Sequence, residues 1–188
     1  MTNKARNKKI LFGVTGSIAA YKAPSIVRSF KQRNYCIQVV LTSGGSRFTT
    51  PLTLSTVSGN TVLQSMWDDQ GTWHNHVQLA KESDLLIIAP ASANCLAKLA
   101  NGICDEMLYA LYLSATCPVI VAPAMDLDMW KHPSVQRNVT QLAEDGVHVL
   151  EPASGFLASG LEGQGRLPDV EVITAFAEDI LRQSTQSS

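Results

Sequence analysis

The chain has 188 residues, of which 45% are hydrophobic, and its 15 basic and 16 acidic residues give a formal net charge of −1. This length accommodates one α/β domain with a sizeable core and is too short for two comfortable domains. The mixed charge excludes a dedicated surface for nucleic acid or for an anionic membrane. The longest apolar run, around residues 85–91, has the length of a strand and not of a membrane span.

The N-terminal and cysteine patterns favour a cytoplasmic protein. The basic start, from Lys4 to Lys9, runs directly into an apolar strand and shows neither a signal-peptide apolar stretch nor a small-residue cleavage site. The cysteines form no CxxC pair and no zinc-binding spacing, so we expect buried, reduced thiols and no metal site. They are Cys36, Cys95, Cys104 and Cys117.

Apolar runs and helical spacings alternate along the first part of the chain. A β-branched and aromatic run predicts a strand over residues 10–14, and helical spacing predicts a helix over residues 17–33 that Pro24 kinks or delays. A second strand is predicted over residues 37–41. A mixed stretch follows, with a short helix predicted over residues 51–58.

The same alternation continues to the C-terminus. We predict strands over residues 85–89, 119–122 and 147–150, and helices over residues 92–100, 105–114, 134–145 and 170–181. The strands are continuously apolar, which indicates that both faces of the sheet are covered. The sequence therefore predicts a single α/β domain with a doubly wound parallel sheet, a core over about residues 9–182 and a frayed tail over residues 183–188.

One segment near the C-terminus is unusually rich in glycine. Residues 154–166 contain Gly155, Gly160, Gly163 and Gly165. Such a density of glycine favours a flexible loop or flap over a regular element.

Small and polar residues follow the predicted strands at their carboxyl ends, where an open α/β sheet binds its ligand. The residues are Gly16 and Ser17, Thr42 and Ser43, Ser92, Ala93 and Asn94, and Ala124. The first group leads from strand to helix and suits a phosphate, although it matches neither the dinucleotide fingerprint nor the P-loop. The first group is equally well explained as a tight turn that needs glycine, and each of the hydroxyl and amide residues after the second and third strands is better explained alone as a helix cap or a turn residue. Together they favour a phosphorylated, mononucleotide-sized ligand.

Three further residues are candidates for chemistry, each with an ordinary structural explanation. His76 forms a His-x-His pair with His74, but no Cys, Asp or Glu cluster accompanies it, and a hydrogen-bonded surface histidine is the usual interpretation. Asp126 fits the cap of a short helical turn. Ser159 fits an ordinary loop residue.

Taken together, four segments resemble the flavin-containing cysteine decarboxylase family, in the family's order. They are GSIAAYK from Gly16, HVQLA from His76, APASAN from Ala89 and PAMDLDMW from Pro123. The resemblance covers about residues 9–166 and is closest to the members that act on 4′-phosphopantothenoylcysteine in coenzyme A biosynthesis. It implies a Rossmann-like, flavodoxin-type fold, bound FMN, and a homotrimer or a dodecamer of trimers with active sites between subunits.

The resemblance also implies the activity and the residues that carry it. The activity is FMN-dependent decarboxylation of 4′-phosphopantothenoylcysteine to 4′-phosphopantetheine, in which two electrons leave the Cβ–thiol unit so that carbon dioxide can depart from a thioaldehyde. His76 is implied as one catalytic residue, and Ser159, in the flap, as a second. Substrate contacts are implied for Asp126, Met129 and Arg166. FMN contacts are implied for Gly16, Ser17, Thr42, Ser43, Ser92, Ala93, Asn94 and Ala124.

Two departures from the family pattern bear on the reaction. The family has Asn where this chain has Asp126, and the decarboxylases of phosphopantothenoylcysteine have Cys in the flap where this chain has Ser159. An ionised Asp126 would repel a substrate carboxylate unless it is protonated, turned away or compensated by a neighbour. The alternatives are a peptidyl-cysteine decarboxylase that stops at the enethiol and a flavin-binding regulatory subunit, which would not need His76. A ligase that makes the substrate, separate or fused, is an expected partner.

Overall fold

Five parallel strands form the central sheet, in the order β2-β1-β3-β4-β5. The computed structural model describes residues 7–68 and 70–186, and its sheet strands are β1 Lys9–Val14, β2 Cys36–Leu41, β3 Leu85–Ala91, β4 Val119–Pro123 and β5 His148–Val149. β1 lies between β2 and β3, and Ile10 pairs with Ile37 on one side and Leu85 on the other. The chain adds β2 on one side of β1 and then β3, β4 and β5 on the other side. The change of side between β1 and β3 creates the topological switch point of a doubly wound sheet. The predicted fold class is confirmed.

Helices cover both faces of the sheet. They are α1 Ala23–Gln32, α2 Pro51–Ser58, α3 His76–Lys81, α4 Ala93–Ala100, α5 Met107–Ser114, α6 Leu127–Lys131, α7 Pro133–Glu144 and α8 Val170–Gln186. One face of β3 contributes Leu85 and Ile87 to a core with α1, α2 and α8. The opposite face contributes Leu86 and Ile88 to a core with α3, α4, α5 and α7. Because side chains alternate along a strand, an unbroken apolar run supplies both cores.

The first predicted helix is divided. Residues Ile18–Lys22 form a 3₁₀ turn capped by Ser17, and α1 begins only at Ala23. Pro24 lies in the first turn of α1, where its missing N–H costs no intrahelical hydrogen bond. The proline therefore delays the helix instead of kinking it.

The glycine-rich segment is an antiparallel hairpin, so the prediction of an irregular flexible loop is wrong. Its strands are β6 Ala153–Phe156 and β7 Glu162–Arg166, with Gly155 opposite Gly163. Gly155 and Gly165 have φ values of 149° and 156°, a region that side chains rarely adopt. The glycines thus permit an unusual paired backbone here instead of marking a break in structure.

Two other predictions need correction. Helix α8 continues to Gln186, so residues 183–186 are helical where a frayed tail was predicted, and residues 187 and 188 lie outside the described residues. Cys36 and Cys104 are exposed, although all thiols were predicted to be buried. Burial raises the pKa of the Cys95 thiol to about 12. The described residues contain no metal-ligand cluster, and none of their helices has the length and apolar character that crossing a membrane requires.

Candidate active site

The loops that follow β1 and β2 approach each other backbone to backbone. A Cβ atom on Gly16 would lie 3.1 Å from the carbonyl carbon of Gly44, and one on Gly45 would lie 2.6 Å from the Val14 carbonyl oxygen. Within residues 7–68 and 70–186, the backbone N–H groups of Gly16, Ser43 and Gly44 donate to no acceptor. The close approach leaves no room for side chains at Gly16 and Gly45, and three backbone N–H groups beside them are available to a ligand. This is the arrangement of an anion-binding loop.

The loops after β3 and β4 are tied to the loop after β1. Thr15 Oγ1 donates to the Pro90 carbonyl at 2.7 Å and accepts from the Ser92 N–H at 2.9 Å. Ser17 Oγ donates to the Ala124 carbonyl at 3.2 Å. These bonds bring three of the predicted strand-end segments to one edge of the sheet.

Several of the predicted hydroxyl contacts are already engaged within the chain. Thr42 Oγ1 donates to the Val14 carbonyl at 3.2 Å and accepts from the Gly45 N–H. Ser92 caps α4 by accepting from the Cys95 N–H at 3.2 Å. Asn94, in the first turn of α4, is exposed. Ser92 is therefore a helix cap and Thr42 a turn residue, and the hydroxyls of both shape the loops.

An apolar groove of about 490 Å³ opens beside these loops, and we call it the hairpin groove. It is lined by Ser17, Ile18, Ala19, Tyr21, Lys22, Ala124, Met125, Asp126, Phe156, Leu157, Ala158, Gly165, Arg166 and Leu167. Ile18, Tyr21 and Phe156 are more than half exposed along it. Exposed apolar side chains around a concave surface are typical of a ligand or partner site.

The base of the hairpin is fixed to the rest of the protein. The Met125 N–H donates to the Gly165 carbonyl at 3.0 Å, and Lys22 Nζ donates to the Leu167 carbonyl at 3.3 Å. A Cβ atom on Gly165 would collide with the Met125 carbonyl oxygen. Ser159 lies instead in the exposed turn between β6 and β7, where its hydroxyl accepts weakly from the Leu161 N–H at 3.5 Å.

The three predicted substrate contacts divide into two groups. Asp126 and Arg166 both line the hairpin groove. Asp126 also begins α6 as its N-cap, accepting from the Asp128 N–H at 3.4 Å, as the structural interpretation predicted. Met129 is 49% exposed on α6 and does not line the groove.

His76 lies on the other side of the sheet. It is the first residue of α3, which belongs to the same face as α5, and it does not line the hairpin groove. The ring of Trp73 meets its imidazole edge to face, with centroids 5.6 Å apart. Its Nδ1 atom is buried and has no hydrogen-bond partner among the described residues. Within one chain, His76 and the hairpin therefore belong to different surfaces.

We call the surface around His76 the histidine ledge; it comprises residues 64–67 and 73–76 together with Ser43 and Glu106. The Trp67 and Trp73 backbones pair across a tight turn, and the His74 N–H donates to the Met66 carbonyl at 2.8 Å. A cavity of about 630 Å³ lies against Ser43, residues 64–67 and Glu106. The ledge is a second concave region at the carboxyl edge.

Sequence reasoning missed Glu106. Glu106 occupies the N-cap of α5 without capping it, and instead its Oε1 accepts from Ser43 Oγ at 2.7 Å. Its Oε2 atom is buried without a partner in the part of the chain that the structure describes. The only sequence signal is an acidic residue before an apolar helix, which ordinarily indicates favourable helix-dipole electrostatics.

Sequence reasoning also gave no role to Lys22. Lys22 ends the first segment of the resemblance, which implies no role for it. In the structure its Nζ lies 3.6 Å from Asp169 and also bonds the Leu167 carbonyl, just after the hairpin. Lys22 therefore ties the 3₁₀ turn to the exit of the hairpin.

The fold and the donor-lined loops define a doubly wound, flavodoxin-like α/β protein with a ligand site at the carboxyl ends of its strands. A family model described as Flavoprotein matches residues 1–182. The chain belongs to the Flavoprotein family.

Two curated relatives are similar in sequence to much of the chain. The chain is 40% identical over 182 residues to the coenzyme A biosynthesis bifunctional protein CoaBC of Bacillus subtilis (strain 168), covering 96% of this chain and 45% of that protein. It is 53% identical over 125 residues to a cysteine/cysteine sulfinic acid decarboxylase from an unknown prokaryotic organism, covering 66% of this chain and 35% of that one. The chain thus spans less than half the length of either relative.

Solved structures agree with the fold. A PPC decarboxylase mutant complexed with pantothenoylaminoethenethiol superposes with a TM-score of 0.81 at 31% identity, covering 92% of this chain and 97% of that one. The FMN-dependent cysteine decarboxylase SpaF gives a TM-score of 0.81 at 34% identity, covering 96% and 98%.

Proposed function

We propose that this chain binds FMN and decarboxylates 4′-phosphopantothenoylcysteine to 4′-phosphopantetheine in coenzyme A biosynthesis, in the cytoplasm. One observation carries the proposal: hydrogen bonds join the loops after β1, β3 and β4 to each other and to the base of the hairpin. Similarity to a coenzyme A biosynthesis protein over 96% of the chain, and to a PPC decarboxylase structure, supports this substrate.

The residues at the carboxyl edge fit FMN. The unbonded N–H groups of Gly16, Ser43 and Gly44 suit the phosphate of FMN. The FMN-dependent cysteine decarboxylase SpaF has the same fold. The apolar walls at Ile18 and Tyr21 suit a flat aromatic ring. The remaining proposed contacts come from residues at the same edge, Ser17, Thr42, Ser92, Ala93, Asn94 and Ala124.

In the proposed reaction, FMN supplies a reversible two-electron sink that opens a route for loss of carbon dioxide. Arg166 binds the substrate carboxylate, and Phe156 with its apolar neighbours excludes water from it. His76 handles a proton through Nε2, because its Nδ1 is enclosed by the chain. Ser159 Oγ, on the hairpin turn, relays the proton that returns to the product.

We further propose a homotrimer, alone or within a dodecamer of trimers, in which His76 of one copy faces the hairpin groove of the next. The proposal rests on the separation of these two surfaces within one chain. Both surfaces expose large apolar side chains, Trp67 and Trp73 on the ledge and Tyr21 and Phe156 at the groove. Apolar surface on both sides favours association.

A ligase that makes the cysteine conjugate is the proposed partner, fused or separate, since the similar CoaBC protein is described as bifunctional. The two alternatives have less support. A peptidyl-cysteine decarboxylase in the structural comparison is only 24% identical and shows the fold alone. A purely regulatory subunit would not need a histidine like His76.

The test combines a spectrum with product mass. Purified protein incubated with FMN is expected to be yellow and to release 4′-phosphopantetheine from 4′-phosphopantothenoylcysteine. A product that lacks two hydrogens, with reduced flavin accumulating in the absence of oxygen, would show that the reaction stops at the enethiol. Protein that stays colourless with added FMN contradicts the cofactor assignment.

A further inference from the structure

The hairpin groove contains one acidic and one basic side chain whose charges no described residue compensates. Among the described residues, the Asp126 carboxylate makes a single 3.4 Å hydrogen bond, from the Asp128 N–H, and no ion pair. The Arg166 guanidinium makes no hydrogen bond or ion pair with any residue in the ranges 7–68 and 70–186. It lies over Gly155, where a Cβ atom would be 2.6 Å from Nη1. Asp126 and Arg166 also form no ion pair with each other.

The third charged side chain of the groove is different. Lys22 bonds the Leu167 carbonyl at 3.3 Å and lies 3.6 Å from the Asp169 carboxylate, so its charge is already balanced. Asp126 and Arg166 therefore remain as one free negative and one free positive group in the same groove.

The backbone holds these two residues in a fixed relation. The Met125 N–H donates to the Gly165 carbonyl at 3.0 Å, and Asp126 and Arg166 are the residues that follow the two bonded positions. The absence of space for a side chain at Gly165 keeps the two backbones in close contact. The two charges thus belong to the rigid base of the hairpin and not to its exposed turn.

From this arrangement we infer that the groove recognises the free α-ammonium and α-carboxylate of an amino acid, with the ammonium at Asp126 and the carboxylate at Arg166. An N-acylated cysteine offers Asp126 only a neutral amide N–H, whereas an ammonium forms a charge-assisted hydrogen bond. The site accordingly decarboxylates unacylated L-cysteine as well. This inference rests on the proposed FMN-dependent decarboxylation.

The reaction balances without a further reagent. L-Cysteine and one proton give cysteamine and carbon dioxide. The bond between Cα and the carboxylate breaks, and its electron pair ends in a new Cα–H bond. FMN, when bound, would supply a reversible two-electron sink for the Cβ–thiol unit, so the net reaction consumes no oxidant or reductant.

The decisive experiment compares Asp126→Asn with Asp128→Asn, an exposed carboxylate on the same turn. FMN-loaded protein is assayed with L-cysteine and with 4′-phosphopantothenoylcysteine. Asp126→Asn is expected to lower kcat/KM for L-cysteine about 10- to 100-fold, mainly through KM, and to lower the value for the acylated substrate by a factor at least about threefold smaller. Asp128→Asn is expected to change neither.

Binding without turnover gives a second readout. Calorimetry with L-serine, which carries both charges and no thiol, is expected to detect binding that Asp126→Asn weakens about 10-fold or more, whereas the affinity for N-acetyl-L-serine is expected to fall by a clearly smaller factor. Turnover of 4′-phosphopantothenoylcysteine without turnover of L-cysteine would overturn the inference and leave the proposed function standing. Turnover of neither substrate by FMN-loaded protein would defeat the proposed function itself. Equal losses on both substrates would reduce Asp126 to a helix cap.

Discussion

The hairpin groove and the histidine ledge lie at the same edge of the sheet but differ in how the chain completes them. In the groove, buried polar groups are bonded internally, as Ser17 is to the Ala124 carbonyl and Met125 to the Gly165 carbonyl. The ledge holds both of the buried side-chain atoms that lack partners among the described residues, Nδ1 of His76 and Oε2 of Glu106.

This difference indicates which half of the site depends on other molecules. A buried polar atom without a partner costs about 1–3 kcal/mol, so native proteins rarely leave one in place. The groove is assembled by one chain, whereas the ledge is expected to rearrange and acquire donors or acceptors when FMN or a second copy arrives. Substitutions in the two regions test this contrast, and the largest effect is expected on the ledge.

Replacing the ledge histidine should abolish catalysis and leave FMN bound. His76→Asn is expected to reduce carbon dioxide release about 100- to 10,000-fold, because the imidazole handles a proton in the proposed reaction. His74→Asn, two residues earlier, is the matched control and should retain activity. Flavin content is measured by absorbance and product by mass spectrometry. Full activity in His76→Asn would return this histidine to a structural role.

The rigid base of the groove can be disturbed without touching a charged group. Gly165→Ala places a Cβ against the Met125 carbonyl oxygen and should lower kcat/KM about 100-fold by displacing the hairpin. Ser154→Ala, an exposed change on the opposing strand, should have little effect. If Gly165→Ala were fully active, the base of the hairpin would not be the fixed element described here.

Mixing two inactive variants tests whether the groove and the ledge of different copies meet. Co-expressed His76→Asn and Arg166→Gln chains should regain activity at roughly a quarter of the sites, since a shared site can draw an intact residue from each copy. Either variant alone should stay inactive. Absence of recovery in verified mixed oligomers would place both residues in one chain's site.

The smallest expected effect concerns the unpartnered carboxylate of the ledge. Glu106→Gln removes a charge from a partly buried position and should raise the free energy of unfolding of flavin-free protein by about 1 kcal/mol. Glu151→Gln, at an exposed site, should change it less. Urea denaturation measures both. A clear loss of stability in Glu106→Gln would mean that the carboxylate already has a favourable partner.

Much of the fold could be predicted because local patterns and tertiary packing agree. The apolar run at residues 85–91 supplies Leu85 to one core and Leu86 to the other. Because the run is unbroken, it indicated a strand that is covered on both faces of the sheet. The predicted helix over residues 51–58 was confirmed at both ends by Thr50 as a cap and Gly59 in a left-handed conformation. Agreement between levels is what makes such segments predictable.

The hairpin was not predictable by the same reasoning. Glycine density indicates freedom of the backbone, and freedom is compatible with either a loop or a close approach. Only contact with Met125 and Lys22 makes residues 153–166 a fixed element. The helix that begins at His76 was missed for a related reason, since its six residues are too few for a periodic signal.

The sequence by itself determined the class of fold, the strand-end loops and the family resemblance, because these depend on residue types at short spacing along the chain. The tertiary structure alone decided that Asp126 and Arg166 share a groove, that Glu106 turns to Ser43, and that His76 faces elsewhere. Those relations join residues distant in sequence through the backbone path and packing, which no local pattern encodes.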